Sequence, residues 1–279
     1  MVKSFKYSEC QEKTIIGKGS HSKVYKITRE GEDFAQKVGR HDVTSKEYEI
    51  LKNINHPNIV RAIESYMEED NMVIIEELYT PYRSWRNNNN KIGPEGFKDL
   101  IKQVSDAVKY LHNNGIIHCD IKADNLLIKE KDLAIRLVVG DFSSAISRNN
   151  TPKFPSFTET HCPWEVINGE YWDEKIDSWS LGCCIFEMVY NRLLFLPHAV
   201  VKGGKVVKKN VKSYNNCLYF WALYNGEIDE RFEKFEGVKF TEAKVPQGFK
   251  RSDHYHDKII MELLKVFPEN RKKVSDINF

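Results

Sequence analysis

Along the first eighty residues, apolar and β-branched positions come in short runs bounded by turn residues. The runs TII (14–16), KVYKIT (23–28), FAQKV (34–38) and MVIIEEL (72–78) predict strands, with Glu30-Gly31-Glu32 as one of the turns. One helix is expected among them, over 45–55, before the turn HPN at 56–58. The period then changes. Phe97, Leu100, Ile101, Val104, Val108 and Leu111 recur at steps of three and four, which predicts an amphipathic helix stopping at Asn113-Asn114-Gly115. Residues 176–190 are apolar nearly all round, so a buried central helix is expected there. The composition shift near 79–90 separates a β-rich first part, 1–78, from a mostly helical second part, 79–279, and the expected fold class is α+β.

Composition narrows the function classes. With 279 residues, 41% apolar and 29% charged, the chain can bury a sizeable core in one large or two moderate domains. Its 42 basic residues are nearly cancelled by 40 acidic ones, so no direct nucleic-acid binding is expected. Cys10, Cys119, Cys162, Cys183, Cys184 and Cys217 form no CxxC pair, which points to free thiols in a reducing compartment. The N-terminus MVKSFKYSECQEK has no apolar segment of the signal-peptide kind, and no run of about 18 apolar residues occurs. A cytoplasmic or nuclear protein without a membrane partner is expected. The four asparagines at 87–90 predict a solvated loop or helix start. The basic stretch at 202–212 predicts a solvated hairpin with Gly203-Gly204 at its tip, or else a patch for an acidic partner or a targeting signal.

Four stretches carry candidate chemistry. IIGKGSHSKVY (15–25) sets Gly17 and Gly19 between two strands, a turn whose bare amides can approach phosphate oxygens, although a plain hairpin explains it as well. The next strand brings Lys37, able to pair with phosphates from a cleft or simply to face water. Glu47 is its candidate partner, with Glu49 as the alternative, while Thr44 and Glu47 also have the spacing of a capping box. HCDIKADN (118–125) and VVGDFSS (138–144) then supply what phosphoryl transfer needs: an aspartate for the acceptor hydroxyl, a cation for the moving group and oxygen ligands for a metal.

In that order these parts resemble the eukaryotic protein kinase family, and the resemblance runs from about Thr14 to Arg271. Pro163-Trp164-Glu165 stands for the family's Ala-Pro-Glu, Arg271 sits where the partner of Glu165 is expected, and DSWSLG (177–182) matches the helix that anchors the catalytic loop. The resemblance implies a bilobal fold, ATP as donor, and Mg²⁺, or Mn²⁺, as cofactor. It implies Asp120 as catalytic base, Lys122 as neutraliser of the transferred phosphoryl, Asn125 and Asp141 as metal ligands, and Lys37 held by Glu47 on the phosphates. Adenine is expected between Ile16, Val24 and Ala35 above and Leu127 below, bonded to the backbone of Glu76 and Leu78, with Ile75 as gatekeeper. Lys122 looks like the serine/threonine branch, and Thr158 matches the threonine that supports the aspartate and lysine.

Some positions depart from the pattern. Ser22 stands for the third glycine, Ser143 for the glycine after Asp-Phe, and Cys119 for an arginine that pairs with a phosphorylated activation loop. A thiol cannot make that contact, so activity independent of loop phosphorylation and a buried, unreactive Cys119 are expected. Only ten residues separate Lys37 from Glu47, so the helix is expected to begin late. Within the family the chain is most similar to the baculoviral protein kinase 1 group, which implies late-infection phosphorylation of basic, Arg/Ser-rich protein substrates. Asp124 would then face a substrate arginine, or else cap a loop. Two rival readings are a kinase-fold scaffold without activity and a small-molecule phosphotransferase. Intact Lys37, Asp120, Asn125 and Asp141 oppose the first, and Lys122 with the Glu165/Arg271 pair opposes the second.

Overall fold

The computed structural model describes residues 13–19, 21–88, 92–132, 134–153, 155–195, 199–202, 205–209, 218, 221–227, 230–231 and 254–278. Two compact units emerge: Met1–Lys91 with Asp124–Ala145, and Ile92–Ala123 with Ile146–Phe279. The fold class is α+β, a five-stranded antiparallel sheet with one main helix followed by a helical region.

In the first unit, β1 (Lys13–Lys18), β2 (Ser22–Arg29), β3 (Glu32–Arg40), β4 (Ala62–Glu68) and β5 (Asn71–Glu77) pair in the order β1-β2-β3-β5-β4. The β2–β3 hairpin turns through Glu30 and Gly31, both at positive φ, as a two-residue turn matched to strand twist requires. One sheet face carries a cluster of Ile27, Val73 and Ile75, with Tyr25, Phe34, Val38 and Tyr66 packed on it. The strand β4 was not expected from the sequence. Ile63 and Met67 face solvent while Glu64 and Tyr66 are half-buried, so the apolar alternation that marks a strand is absent from that run.

Helix α1 (His41–Leu51) starts directly after β3, four residues earlier than expected rather than late. Its buried positions Thr44, Glu47 and Leu51 lie on one face at helical spacing. Thr44 is therefore inside the helix, and the capping-box reading fails: no side chain caps α1. Gly39 allows the tight join, because a Cβ there would collide with Thr44 Oγ1.

The same unit holds a smaller sheet in which β6 (Thr80–Pro81) pairs with β8 (Leu126–Lys131), and β8 with β9 (Ala134–Val139). Helix α2 (Tyr82–Asn88) follows β6, and the Trp85 indole donates to Glu130 at 2.8 Å. Asn87 and Asn88 end this helix in solvent rather than starting one, and Asn89 and Asn90 lie outside the described residues.

In the second unit, α3 (Pro94–Asn113) buries Phe97, Leu100, Ile101, Val104, Val108 and Leu111, starts with Pro94 in its first turn and ends before Gly115 at φ +68°. Strands β7 (Ile116–Ile117) and β10 (Ile146–Ser147) pair, and the short α4 (Trp164–Ile167) precedes α5 (Lys175–Tyr190). From Ile176 to Met188 every residue of α5 is buried, as its all-round apolar pattern requires. Gly182 lets α5 approach Leu264, since a Cβ would meet that side chain at 2.7 Å. Strands β11 (Ala199–Lys202) and β12 (Lys205–Lys209) form the expected hairpin within the basic stretch, whose tip Gly203-Gly204 and residues 210–212 lie outside the described residues. The helix Tyr255–Leu263 packs near α5. Among the described residues no helix is long and apolar enough to cross a membrane. Cys119, Cys162, Cys183 and Cys184 are free and buried, while Cys10 and Cys217 lie outside the described residues.

Candidate active site

The first unit gathers the residues expected around a nucleotide. Lys18 pairs with Lys23 across the β1–β2 turn, and the Gly19 amide donates to Ser22 O at 2.8 Å, so the turn is closed and narrow. Gly17 lies opposite Val24; a Cβ on it would rest in ordinary contact with that valine. Val24 pairs with Lys37, so the two share a sheet face. Ala35 lies two residues before Lys37 on that face and is buried, Ile16 is 44% exposed, and Leu127 is half-buried on β8.

Lys37 Nζ donates to Glu47 Oε1 at 2.6 Å and to Asp141 Oδ1 at 2.9 Å. Burial opposes the charge of Lys37, but Glu47, Asp141 and Glu76 together offset it and hold the ammonium above its ordinary range. Glu47 Oε1 also accepts the Phe142 amide at 2.9 Å. The alternative partner, Glu49, is exposed and pairs instead with Lys52 at 2.6 Å.

Asn125 and Asp141 are brought together by a hairpin. Leu126 pairs with Val139, and beyond that pair the Gly140 amide donates to Asn125 O at 2.9 Å. A Cβ on Gly140 would reach Leu127 Cδ1 at 2.9 Å, so a larger residue there would displace that side chain. Asp141 turns out of the strand in the left-handed region, φ 56°. Two neutral or anionic oxygen donors on adjacent strand ends suit a hard cation such as Mg²⁺, which takes few protein ligands and completes its shell from phosphate and water. Among the described residues, no group of three or more His, Cys, Asp or Glu is placed to hold a metal.

The structure corrects one set of expected contacts. Strand register places Ala35 opposite Glu76, Gln36 opposite Ile75 and Lys37 opposite Ile74. Cross-strand partners share a face, so Ile75 lies on the opposite face from Lys37, in the Ile27–Val73 cluster, and is no gatekeeper. The β5 side chains on the Ala35 and Lys37 face are those of Ile74, opposite Lys37, and Glu76, opposite Ala35. Glu76 is also flanked by a strand on each side, Ala35 in β3 and Ala62 in β4, whereas Leu78 lies beyond the end of β5. Burial pushes the Glu76 carboxyl up to about 8; Lys37 draws it down, and Glu47 and Asp141 add to the rise.

In the second unit, the loop that begins at His118 is hung on a buried carboxylate. Asp177, in the first turn of α5, accepts the His118 amide at 2.8 Å, the Cys119 amide at 2.9 Å and lies 3.0 Å from His112 Nε2. That anchoring holds Cys119 at φ 64°, a backbone form that a side-chain-bearing residue adopts only under constraint. The Cys119 thiol is 3% exposed, and burial, with Asp177 and Asp120 adding, pushes it far above the ordinary thiol range. Next along the loop, Lys122 Nζ donates to Asp120 Oδ2 and to Thr158 Oγ1, both at 2.8 Å, while Thr158 Oγ1 donates to Asp120 Oδ1 at 2.7 Å. A carboxylate, an ammonium and a hydroxyl are thus locked in one ring of hydrogen bonds. Both carboxylate oxygens are oriented, and the lysine charge stands beside them.

Elsewhere the second unit buries a two-point ion pair: Arg271 donates to Glu165 Oε1 at 2.6 Å and to Oε2 at 3.1 Å. In the first unit the carboxylate of Asp124 accepts two bonds from Arg83 of α2, at 2.6 and 3.0 Å. It neither caps a loop nor faces water alone. Sequence reasoning missed Arg83, the inward side chain of Glu76, and His112. His112 does fall in the last turn of the amphipathic helix, on its buried stripe, which is the one sign of its role.

These findings agree with the matches to known proteins. The protein kinase domain family matches residues 10–278. The chain is 27% identical to the probable CTD kinase subunit alpha homolog of Encephalitozoon cuniculi, over 96% of this chain and 82% of that one. It is 28% identical to serine/threonine-protein kinase RAD53 of Saccharomyces cerevisiae, over 65% of this chain and 25% of that one. With myosin light chain kinase A of Dictyostelium discoideum it shares 30% identity over 61% of this chain and 62% of that one. The chain therefore spans less than two thirds of the length of the last two relatives. A match covering nearly all of its residues makes the chain a member of the protein kinase family of enzymes.

Proposed function

We propose that the chain is a serine/threonine protein kinase, transferring the γ-phosphoryl group of ATP to protein hydroxyls. The observation that carries this reading is the ring formed by Asp120, Lys122 and Thr158. Asp120 orients the acceptor hydroxyl and takes its proton, Lys122 neutralises charge on the moving phosphoryl, and Thr158 fixes both. Lys37, held by Glu47, grips the α- and β-phosphates, and Ile16, Gly17, Gly19, Val24, Ala35 and Leu127 enclose the nucleotide. Asn125 and Asp141 would hold Mg²⁺, or Mn²⁺, which when bound screens the phosphate charge. In this reading 1–78 form the nucleotide-binding lobe with its hinge and 79–279 the substrate lobe. A scaffold without activity is disfavoured because every charged group of the transfer machinery is retained, and a small-molecule phosphotransferase by Lys122 and the Glu165–Arg271 pair. A γ-labelled ATP assay against several proteins, small alcohols and no acceptor tests the reading: label is expected on protein serine or threonine, and label on small alcohols alone would overturn it.

The substrates are basic, Arg/Ser-rich proteins, as the resemblance to the baculoviral protein kinase 1 group implies, and the setting is the reducing cytoplasm or nucleus of a host cell. Asp124 supports this choice. Its carboxylate already takes a two-point contact from Arg83 at an exposed position, a pairing worth about 1 kcal/mol or less, so a substrate arginine can replace it. Asp124→Ala is expected to lose selectively the preference for arginine-flanked serines in a peptide library, and Arg83→Ala to strengthen it. An unchanged flanking profile in both variants would remove Asp124 from substrate choice.

A further inference from the structure

Apart from the Asp120 ring, the second unit holds a polar cleft of about 300 Å³, lined by His112 and Asn113 at the end of α3 and by Arg148, Glu174, Lys273 and Ser275. Glu174, immediately before α5 and 6% exposed, organises it. Its Oε1 accepts Lys273 Nζ at 2.8 Å and lies 3.5 Å from Arg148 Nη2, which in turn donates to His112 O at 2.9 Å. Two cations are thereby held beside one oxygen. Burial raises the Glu174 carboxyl, but the Lys273 bond, a backbone hydrogen bond and the Arg148 charge outweigh it, so Glu174 stays ionised and keeps both cations in place.

The hydrogen-bond inventory of the cleft is unequal. Arg148 Nε and Nη1, two of the three Lys273 protons and the Asn113 side-chain amide donate to no described residue. Against these donors, Glu174 is the one carboxylate among the lining residues, and it is already shared by both cations. Asp173 acts on Lys273 and Asp276 accepts the Ser275 hydroxyl at 2.8 Å, so a ligand is held by direct bonds rather than by a strong long-range field. Arg148 also covers the His112 carbonyl, which at a helix end would otherwise repel an anion. What the cleft lacks is an acceptor-only anion, and the number of unspent donors suits three terminal oxygens better than the two of a carboxylate.

We propose that this cleft binds a phosphoryl group, that of inorganic phosphate or of a phosphate monoester, through Arg148, Lys273 and Asn113. The site uses none of the residues assigned to nucleotide or phosphoryl transfer. A bound phosphoryl group ties Arg148, next to the β7–β10 pair, to Lys273 at the start of the turn Val274–Asp276.

Calorimetric titration of the full chain with inorganic phosphate and, separately, with O-phosphoserine, at constant ionic strength, provides the test. Wild type is expected to bind at least one of the two, and whichever binds more tightly names the source of the phosphoryl group. Lys273→Ala should weaken that binding at least about tenfold, whereas Lys273→Arg, which keeps the charge, should retain most of it. Ser275→Glu, a change at an exposed hydroxyl that leaves the fold alone, sets a second carboxylate in the cleft and should also weaken binding at least about tenfold. Wild type that binds neither probe, or an affinity within about twofold of wild type in either Lys273→Ala or Ser275→Glu, would overturn the site and leave the kinase reading untouched.

Discussion

Lys37 Nζ meets Glu47 Oε1 at 2.6 Å with both side chains almost wholly out of solvent, at 7% and 1% exposure. Removing one member of such a pair leaves a buried charge short of its partner, which costs about 3–5 kcal/mol, here toward the lower end because Asp141 still reaches the lysine. Glu47→Ala should therefore lower unfolding free energy by about 3 kcal/mol and weaken ATP binding. Glu49→Ala, whose exposed carboxylate pairs with Lys52, should change stability by less than about 1 kcal/mol. Denaturant unfolding of both variants checks this, and equal losses would refute the assignment.

The chain from Ile146 to Arg148 is held by backbone pairing and by the Arg148 side chain. Ile146 pairs with Ile117, the Arg148 amide donates to Gly115 O at 2.7 Å, and the Arg148 guanidinium donates to His112 O at 2.9 Å beside Glu174 at 3.5 Å. Phosphatase-treated enzyme should thus keep its activity, whereas Arg148→Ala should lose several-fold in kcat. Loss of most activity on dephosphorylation, with recovery on rephosphorylation at Ser156, Thr158 or Thr160, would contradict this.

Glu76 makes stability depend on pH. Lys37 from β3, Glu47 from α1 and Asp141 after β9 surround it, and burial dominates, so the folded chain holds the proton up to about pH 8 while the unfolded chain releases it near 4.5. Between these values the folded state binds more protons than the unfolded, so this contribution is full below about pH 4.5 and lost as pH rises through about 8. Glu76→Gln should flatten the decline and be the more stable protein at pH 8.5, by an amount on the order of a few kcal/mol. Thermal unfolding across that range with a parallel decline in both proteins would rule out this origin.

Helical periodicity made α3 and α5 legible, because a single stripe in one and an all-round apolar pattern in the other each leave a distinct spacing. The order of Lys37, Asp120, Asn125 and Asp141 carried the resemblance to the protein kinase family, which the family match bears out. What stayed hidden depends on register and distance. Val73, Ile74 and Ile75 are all buried, so alternation along β5 could not say which residue faces Lys37; only pairing with β3 decides it. The start of α1 was hidden because Thr44 and Glu47 imitate a cap while lying inside the helix. Arg83 and Asp124 are 41 positions apart and His112 and Asp177 are 65 apart, so neither partner marks the other in the sequence.

The Asp120, Lys122 and Thr158 ring is the centre of the account, and Asp120→Asn tests it most directly. The amide keeps the shape and one acceptor oxygen but cannot take a proton at neutral pH. With γ-labelled ATP and a serine-containing basic protein, transfer should fall by at least about a hundredfold while ATP binding stays within about twofold of wild type. Equal transfer by wild type and Asp120→Asn, with nucleotide bound by both, would contradict the account.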